Sequence, residues 1–391
     1  MIIGLDVGGT NTDVVLLNDE GIVRQVKVPT NQTDLLHSVW MGLEEVTRDI
    51  PPESIHRAVL STTLTTNCVA ECKLTPVGMI VSSGPGIDPE CYRTGEHYFA
   101  VAGSIDHRGR EIQPVDAAEI EAIASRLRSE GVRHVGVAGK FSIRNPKHEL
   151  QIEEILGSDF DYVILGHRIS GNLSFPRRIA TAHVNAAVYP THKRFFEAVR
   201  DSLARKGFTF PIYVLKADGG TISFDTALDY PGQSILSGPA ASVMGSLPFA
   251  SDAEETLVLD VGGTTTDMAV LIRNAPLLDP VGIDMGGFKT LIRALKTQSI
   301  GLGGESVVRI ADGALKIGPD RQGPAMAYGG PAPTVTDALF VLGQLSGGDV
   351  DAARRGLTPL AEKMGASVEE AADRIFRSEE RRVGKECRSR W

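Results

Sequence analysis

The twelve residues 260–271, DVGGTTTDMAVL, repeat a stretch that stands 254 residues earlier, DVGGTNTDVVLL at 6–17. Eight of the twelve positions are identical, and each copy follows an apolar run, MIIGL in the first and TLVL in the second. A fold for this chain must therefore contain one strand–turn–strand unit twice. Each copy has a β-branched run, a Gly-Gly-Thr turn, a second apolar run and a turn signal, NDEG at 18–21 or RNAP at 273–276. That order predicts a β-hairpin with its glycines at the bend.

A glycine pair after a buried strand lets backbone approach an anion closely, and its consecutive N–H groups can form a phosphate cradle. Gly8, Gly9 and Thr10 are the candidates in the first copy, Gly262, Gly263 and Thr264 in the second. Asp6 and Asp260 end the strands beside these turns. A carboxylate next to phosphates alone would repel them, so the pattern calls for Mg²⁺ and its bound waters between the two. Asp13 and Asp267 are candidates for orienting an acceptor or a water, and fit equally well as strand caps. One Gly-Gly turn is ordinary turn chemistry. Two matched copies, each flanked by Asp and by Thr-x-Asp, point to nucleotide phosphates held from both sides of a cleft. The chain has no G-x-x-x-x-G-K-[ST] and no G-x-G-x-x-G opening a helix after a strand, so neither a P-loop nor a dinucleotide fold is supported.

The 391 residues are enough for two or three domains, and the net charge of −9 argues against nucleic acid or an anionic membrane surface as partner. A small-molecule substrate fits better. The opening MIIGLDVGGT has no basic n-region, and no run reaches the ~20 apolar residues of a membrane span, so a cytoplasmic location is expected. Cys68, Cys72 and Cys91 show neither paired CxxC spacing nor a neighbouring His, and read as ordinary thiols. The last fifteen residues, RSEERRVGKECRSRW at 377–391, break with everything before them and read like the in-frame translation of a sequencing adapter. Six basic and three acidic residues go with that tail, which leaves a net charge of −12. The native chain is then expected to continue past Phe376.

Between the repeats the periodicity changes. Residues 115–131 have helical spacing, HVGVAG is a strand, NPKHELQIEEIL starts a helix at Asn145 and DYVILG is another strand, which together make a separate α/β unit. Two helices are expected next. SFPRRIATAHVNAAV carries Pro176 in its first turn, and THKRFFEAVRDSLARKG runs from a Thr191 cap to Gly207 with Phe195, Val199 and Leu203 on one stripe. PIYVLKADGG is a strand entering a glycine loop, and SILSGPAASVMGSL is a small-residue helix leading to the second repeat. His183 lies on an apolar helix face and reads as a satisfied core histidine.

GLDVGGTNTD and LDVGGTTTD resemble the two phosphate motifs of the actin, sugar kinase and heat-shock-chaperone ATPases. Residues 1 to about 345 resemble, more narrowly, the A subunit of the hydantoinase/oxoprolinase family. That likeness rests on STTLTTNCVAE at Ser61, NAAVYP at Asn185, ADGGTIS at Ala217, SGPAAS at Ser237, GLGGES at Gly301 and GGPAPTVTDALFVLG at Gly329, all in the family's order. The resemblance implies an α/β, duplicated actin-like ATPase fold with ATP between two lobes and a truncated C-terminus. The first lobe would span 1–249 with an α/β insertion at about 75–170, and the incomplete second lobe 250–376. It implies ATP- and Mg²⁺-dependent opening of a cyclic amide such as a hydantoin or 5-oxoproline, with a B-type subunit as partner. Gly303 and Gly304 become candidates for a third phosphate or adenosine loop, a plain turn being the other reading. Asn67 and Asp218 become substrate-side candidates. Ketone carboxylation is the alternative within the family. An ATP-driven chaperone- or filament-like switch, or a small-molecule kinase, fits the duplicated cradle from outside it.

Overall fold

Alternating side chains in IIGLDV and NTDVVLLN give each strand one apolar face, and glycines between them let the chain reverse. The structure is a computed structural model. It describes residues 1–8, 11–31, 33–70, 74–250, 254–311 and 313–390, with the side chains of 64, 67, 70, 379–384 and 386–390 outside the description. Gly9 and Thr10, both in the first turn, therefore lie outside the described residues, as do Cys72 and the side chain of Asn67.

Two compact units result, residues 1–244 with 278–295, and residues 245–277 with 296–391. The first unit opens with strands β1 (Ile2–Val7), β2 (Asn11–Asn18) and β3 (Gly21–Pro29), helix α1 (Leu35–Val46), strand β4 (Arg57–Thr62) and helix α2 (Leu64–Ala70). Strands β5 (Val77–Ser82) and β6 (Tyr98–Ala100) follow, then a short hairpin of β7 (Ser104–Ile105) and β8 (Glu111–Gln113). Next come α3 (Ala117–Ser129), β9 (His134–Gly139), α4 (Lys147–Leu156), β10 (Tyr162–Leu165), α5 (Gly166–Ile169) and α6 (Phe175–Arg205). Strands β11 (Ile212–Leu215) and β12 (Thr221–Ser223) and helices α7 (Phe224–Asp229) and α8 (Ser237–Ser246) complete this run.

Six strands form the first sheet in the order β12-β11-β4-β1-β2-β3. Its core joins Ile3, Leu5, Val7, Val14 and Leu16 to Val39 and Leu43 of α1 and to Phe195, Phe196, Val199 and Leu203 of α6. A second sheet, β10-β9-β5-β6, is parallel throughout. Helices α3 and α4 cover one of its faces through Ile120, Leu127, Ile152 and Leu156. The N-terminal half of α6 covers another set of its side chains, Ile179, Ala182 and Ala186 meeting Met79, Val81 and Ala138.

Where two helices were expected there is one of 31 residues, running through Pro190 and Thr191. A proline inside a helix removes one N–H and crowds the carbonyl four residues back, which leaves acceptors to be satisfied elsewhere. Pro190 deprives the Ala186 carbonyl of its helical donor, and next to it Thr75 donates its backbone N–H and its hydroxyl to the Ala187 carbonyl, at 3.3 and 2.9 Å. Burial of the helix against both sheets outweighs the local break. Residues 278–295 return to this unit as short antiparallel pairs, and Arg177 Nη1 donates to the Gly282 and Thr290 carbonyls at 3.2 and 2.8 Å. His183 is buried, but its Nδ1 finds no partner among the described residues, and burial pushes its pKa down to about 4.

The second unit begins with β13 (Glu255–Val261) and β14 (Thr266–Ile272), paired antiparallel, and strand Thr297–Ile300 adds to the other side of β14. Its core collects Met268, Ile300, Leu302, Val308 and Phe340 with Leu357 and Ile375 from α9 (Val335–Val341), α10 (Val350–Met364) and α11 (Val368–Arg390). Among the described side chains of α11, Ala371, Ala372 and Ile375 are buried.

The ends of β9 and α4 meet α6 through a fully buried ion pair. Arg178 donates to the Gly139 carbonyl, Ser142 Oγ and the Lys140 carbonyl at 2.8, 2.6 and 2.6 Å and stands 3.8 Å from Glu149. Removing one partner of such a pair strands the other's charge. Arg178→Met is expected to lower the stability of the first unit by about 3–5 kcal/mol in denaturant titrations.

Candidate phosphate-binding turns

Both repeats close in the same way. Gly8 N–H donates to the Asn11 carbonyl at 2.9 Å, and 254 residues later Gly262 N–H donates to the Thr265 carbonyl at 2.9 Å. The flanking strands also pair identically, Asp6 opposite Asp13 and Asp260 opposite Asp267. Directly opposite residues in an antiparallel ladder share a face, so each turn carries two carboxylates on one side.

Their surroundings differ. In the first unit the parallel partner β4 places Ser61 level with Asp6, and Ser61 Oγ donates to Asp6 Oδ1 at 2.5 Å. Thr62 Oγ1 and Thr63 N–H both donate to the Val7 carbonyl, at 3.1 Å each, so β4 braces the end of β1 on that side. Asp13 faces β3 and pairs with Lys27 at 3.2 Å, both partly open to solvent. In the second unit Asp267 stands opposite Ser299. Burial raises its pKa, the neighbouring Asp260 charge adds to the rise, and a hydrogen bond with Ser299 partly offsets both.

The loop around Gly301–Ser306 packs directly onto the second turn. Gly304 N–H donates to the Gly262 carbonyl at 2.9 Å, Glu305 N–H to the Gly263 carbonyl at 2.7 Å, and Gly303 N–H to Ser306 Oγ at 3.0 Å. All three amides are thus engaged inside the protein, and the loop acts here as a brace for the turn. The approach requires glycine: a Cβ on Gly303 would lie 2.6 Å from the Gly262 carbonyl oxygen and 2.7 Å from Gly263 backbone atoms. A Cβ on Gly263 would meet Glu305 Oε2 at 2.9 Å, and that carboxylate is held by Arg321 at 2.5 Å. Thr264 is exposed beside them. Thr336 ties the brace to α9, its N–H and hydroxyl each donating to the Gly304 carbonyl at 2.8 Å.

Asp218 lies in the loop after β11. Burial alone would raise its pKa, but hydrogen bonds from Lys216 (Nζ to Oδ2, 2.9 Å) and the Gly220 amide, with the charges of Lys216 and Arg293, hold it below the usual range. Ser61, Lys216, Glu305 and Thr336 escaped the residue-by-residue reading. The signal for Ser61 lay in its place at the end of a strand parallel to β1, which only pairing reveals.

A half-buried carboxylate whose pKa burial raises, opposite a second carboxylate and beside a turn whose glycines a Cβ would crowd, is a set of groups that a hydrated divalent cation and its phosphate would fit. Among the described residues no group of three or more His, Cys, Asp or Glu could hold a metal ion directly. No helix described here is long and apolar enough to cross a membrane.

Fold and repeated turns define a mixed α/β chain of the actin-like ATPase kind. Two solved structures share it: nucleotide-free acetone carboxylase (TM-score 0.77, 20% identity, 95% of this chain and 60% of that one) and the ATP-dependent caprolactamase from Pseudomonas jessenii (TM-score 0.74, 26% identity, 96% and 61%). Residues 178–389 match the hydantoinase/oxoprolinase family and residues 2–160 its N-terminal region, and the chain belongs to that family. Caprolactamase subunit alpha of Pseudomonas jessenii is 27% identical, over 95% of this chain and 60% of its own length. The acetophenone carboxylase gamma subunit of Aromatoleum aromaticum is 26% identical, over 88% and 53%. An uncharacterized protein of Methanocaldococcus jannaschii is 29% identical, over 96% and 62%. The chain thus spans about three-fifths of the length of such relatives.

Two outcomes follow from the geometry. Gly303→Ala forces backbone against backbone and should destabilise the second unit by about 1–3 kcal/mol, measured by urea unfolding. Asp267 has its folded pKa above its unfolded value, so the native state binds the proton more tightly and loses stability as pH rises through that raised pKa. In metal-free buffer Asp267→Asn should therefore melt higher than the parent protein at pH 7, with the gap closing below the ordinary aspartate pKa. A lower melting point for the variant at pH 7 would show that the carboxylate is not under this penalty.

Proposed function

We propose that this chain is the A subunit of an ATP-dependent cyclic amide hydrolase, opening a hydantoin, 5-oxoproline or similar lactam ring together with a B-type subunit. On this reading residues 1–249, joined by 278–295, form the first ATPase lobe, the rest of 250–376 the portion of the second present here, and 377–391 an adapter-derived tail. The observation that carries the proposal is the doubled Asp–Gly–Gly–Thr hairpin closed by the same hydrogen bond in both copies. The family supports the substrate class, because relatives are named caprolactamase and 5-oxoprolinase.

The chemistry follows from what an amide lacks. Its carbonyl is a poor electrophile at neutral pH, and its nitrogen is a poor leaving group. Transfer of the γ-phosphoryl group of ATP to the carbonyl oxygen, with ADP departing, activates the carbon for water. Addition of water and protonation of the ring nitrogen break the C–N bond and leave an acyl phosphate. A second water then cleaves the C–O bond and releases phosphate. The first half needs positioning and charge neutralisation above all. Bound Mg²⁺ supplies part of that neutralisation, and Asp6 and Asp260 would hold its waters. With the Gly8 and Gly262 amides closing the turns, Gly9, Thr10, Gly263 and Thr264 supply the groups for the phosphates. Asp13 and Asp267 orient the acceptor or water, and Asp218, paired with Lys216, lines the acceptor side with Asn67. We assign the hydrolytic half to the B-type partner.

The test is isotopic. With the partner subunit present and the amide carbonyl labelled with ¹⁸O, one label per ring opened should appear in released phosphate, and carboxylate oxygen should come from water. Ring opening without that transfer contradicts the phosphorylated-amide route. Bicarbonate-dependent ATP use with a ketone would place the protein with its carboxylating relatives instead. Asp260→Asn, which keeps shape and loses charge, should lower turnover by about 100-fold or more while weakening nucleotide binding far less.

A further inference from the structure

Two stretches of the sequence, STTLTTN from Ser61 and SGPAAS from Ser237, stand outside the repeated turns, and the fold docks one on the other. Strand β11 runs beside β4 only as far as Leu60, while β1 accompanies it to Thr62. The Thr62 N–H and C=O that point away from β1 thus have no strand to pair with, although Thr62 is 1% exposed. Ser237, 0% exposed at the start of α8, takes that strand's place. Its Oγ accepts from the Thr62 N–H at 3.1 Å and donates to the Thr62 carbonyl at 3.0 Å. A hydroxyl, with one proton and two lone pairs, can serve both groups, whereas alanine would leave two buried backbone groups unpaired.

The junction is held at two further points. Leu236 N–H donates to Thr66 Oγ1 at 2.9 Å, and Leu236 has left-handed backbone, φ 64°, which a non-glycine residue keeps only when its surroundings hold it there. A Cβ on Gly238 would lie 2.5 Å from Thr63 Cγ2, so the first turn of α8 sits directly on the residue after β4.

From Thr62 the restraint reaches the first turn. Thr62 Oγ1 and Thr63 N–H donate to the Val7 carbonyl, and at the other end of the same peptide unit the Gly8 N–H donates to the Asn11 carbonyl. Both ends of the Val7–Gly8 peptide are thereby fixed, and its orientation sets the direction in which the chain leaves Gly8. We propose that Ser237 is a positioning residue for the first phosphate turn: by holding the Thr62 backbone it keeps the Thr62 hydroxyl on the Val7 carbonyl, and so holds the peptide plane from which the Gly-Gly turn begins. This rests on the reading of that turn as a phosphate cradle. Ser237 acts through Thr62 and needs no contact with the nucleotide. A turn that drifts costs rate before affinity, because phosphoryl transfer depends on alignment at the reacting group while affinity is spread over the whole nucleotide.

The experiment sets Ser237→Ala and Thr62→Val against Ser234→Ala, which removes another buried hydroxyl from the same stretch, one that donates to the Pro231 carbonyl at 2.9 Å. Amide exchange is read first, without nucleotide. Residues 7–12 should exchange about tenfold faster or more in Ser237→Ala and in Thr62→Val, no faster in the double variant than in the faster single one, and at the parent rate in Ser234→Ala. Helix α1 should stay protected throughout. With the partner subunit present, kcat should then fall about tenfold or more in either variant while KM for ATP stays within about threefold, and Ser234→Ala should match the parent. Unchanged exchange at 7–12 in Ser237→Ala, or effects of the two substitutions that multiply, would overturn the proposal. So would a raised KM with kcat intact, and so would loss of α1 protection in Ser237→Ala, which would make the residue a general support of the unit. A parent protein that does not turn over ATP contradicts the proposed function instead, and the exchange comparison then decides the role of Ser237 by itself.

Discussion

Two carboxylates facing each other across a two-strand ladder, beside a turn of glycine amides, set the terms for each half of this chain. Like charges opposite one another cost stability, and burial raises that cost. The arrangement persists in both copies with the same closing hydrogen bond, Gly8 to Asn11 and Gly262 to Thr265. Neighbouring segments hold that geometry: β4 braces the end of β1 through Ser61, Thr62 and Thr63, and the Gly303–Gly304 loop braces the second turn.

The two copies are equal in motif and unequal in support. Asp13 is paired with an exposed lysine, while Asp267 is set against Ser299 with its proton affinity raised. A duplicated unit can diverge in this way because the turn depends on a few backbone contacts, whereas its neighbours are free to change. Asp267, with its raised pKa, marks the second copy as an informative target for mutation.

Much of this was legible in the residues. The hairpins, the insertion with its own sheet and the stripe of Phe195, Val199 and Leu203 all follow from periodicity and turn chemistry. The continuity of the helix through Pro190 was not, because the penalty of one proline is local and burial against two sheets outweighs it. Nor does any local signal reveal that residues 278–295 rejoin the first unit, since that return is fixed by tertiary hydrogen bonds such as those of Arg177. At the turns the motif named Asp6, Asp260 and the glycines, but the bracing residues Ser61, Glu305 and Thr336 belong to other segments and become visible only when the chain has folded. The packing of Gly303 against the Gly262 and Gly263 backbone is likewise a tertiary contact with no local signal.

If the repeated hairpins are phosphate cradles, their backbone amides must feel the nucleotide directly. Hydrogen exchange at residues 7–12 and 261–266, followed with and without Mg-ATP, reads that contact without any substitution. Slower exchange at each turn on adding Mg-ATP, and no comparable change with adenosine, is the expected result. Mg-ATP bound to the protein with exchange unchanged at both turns would contradict it.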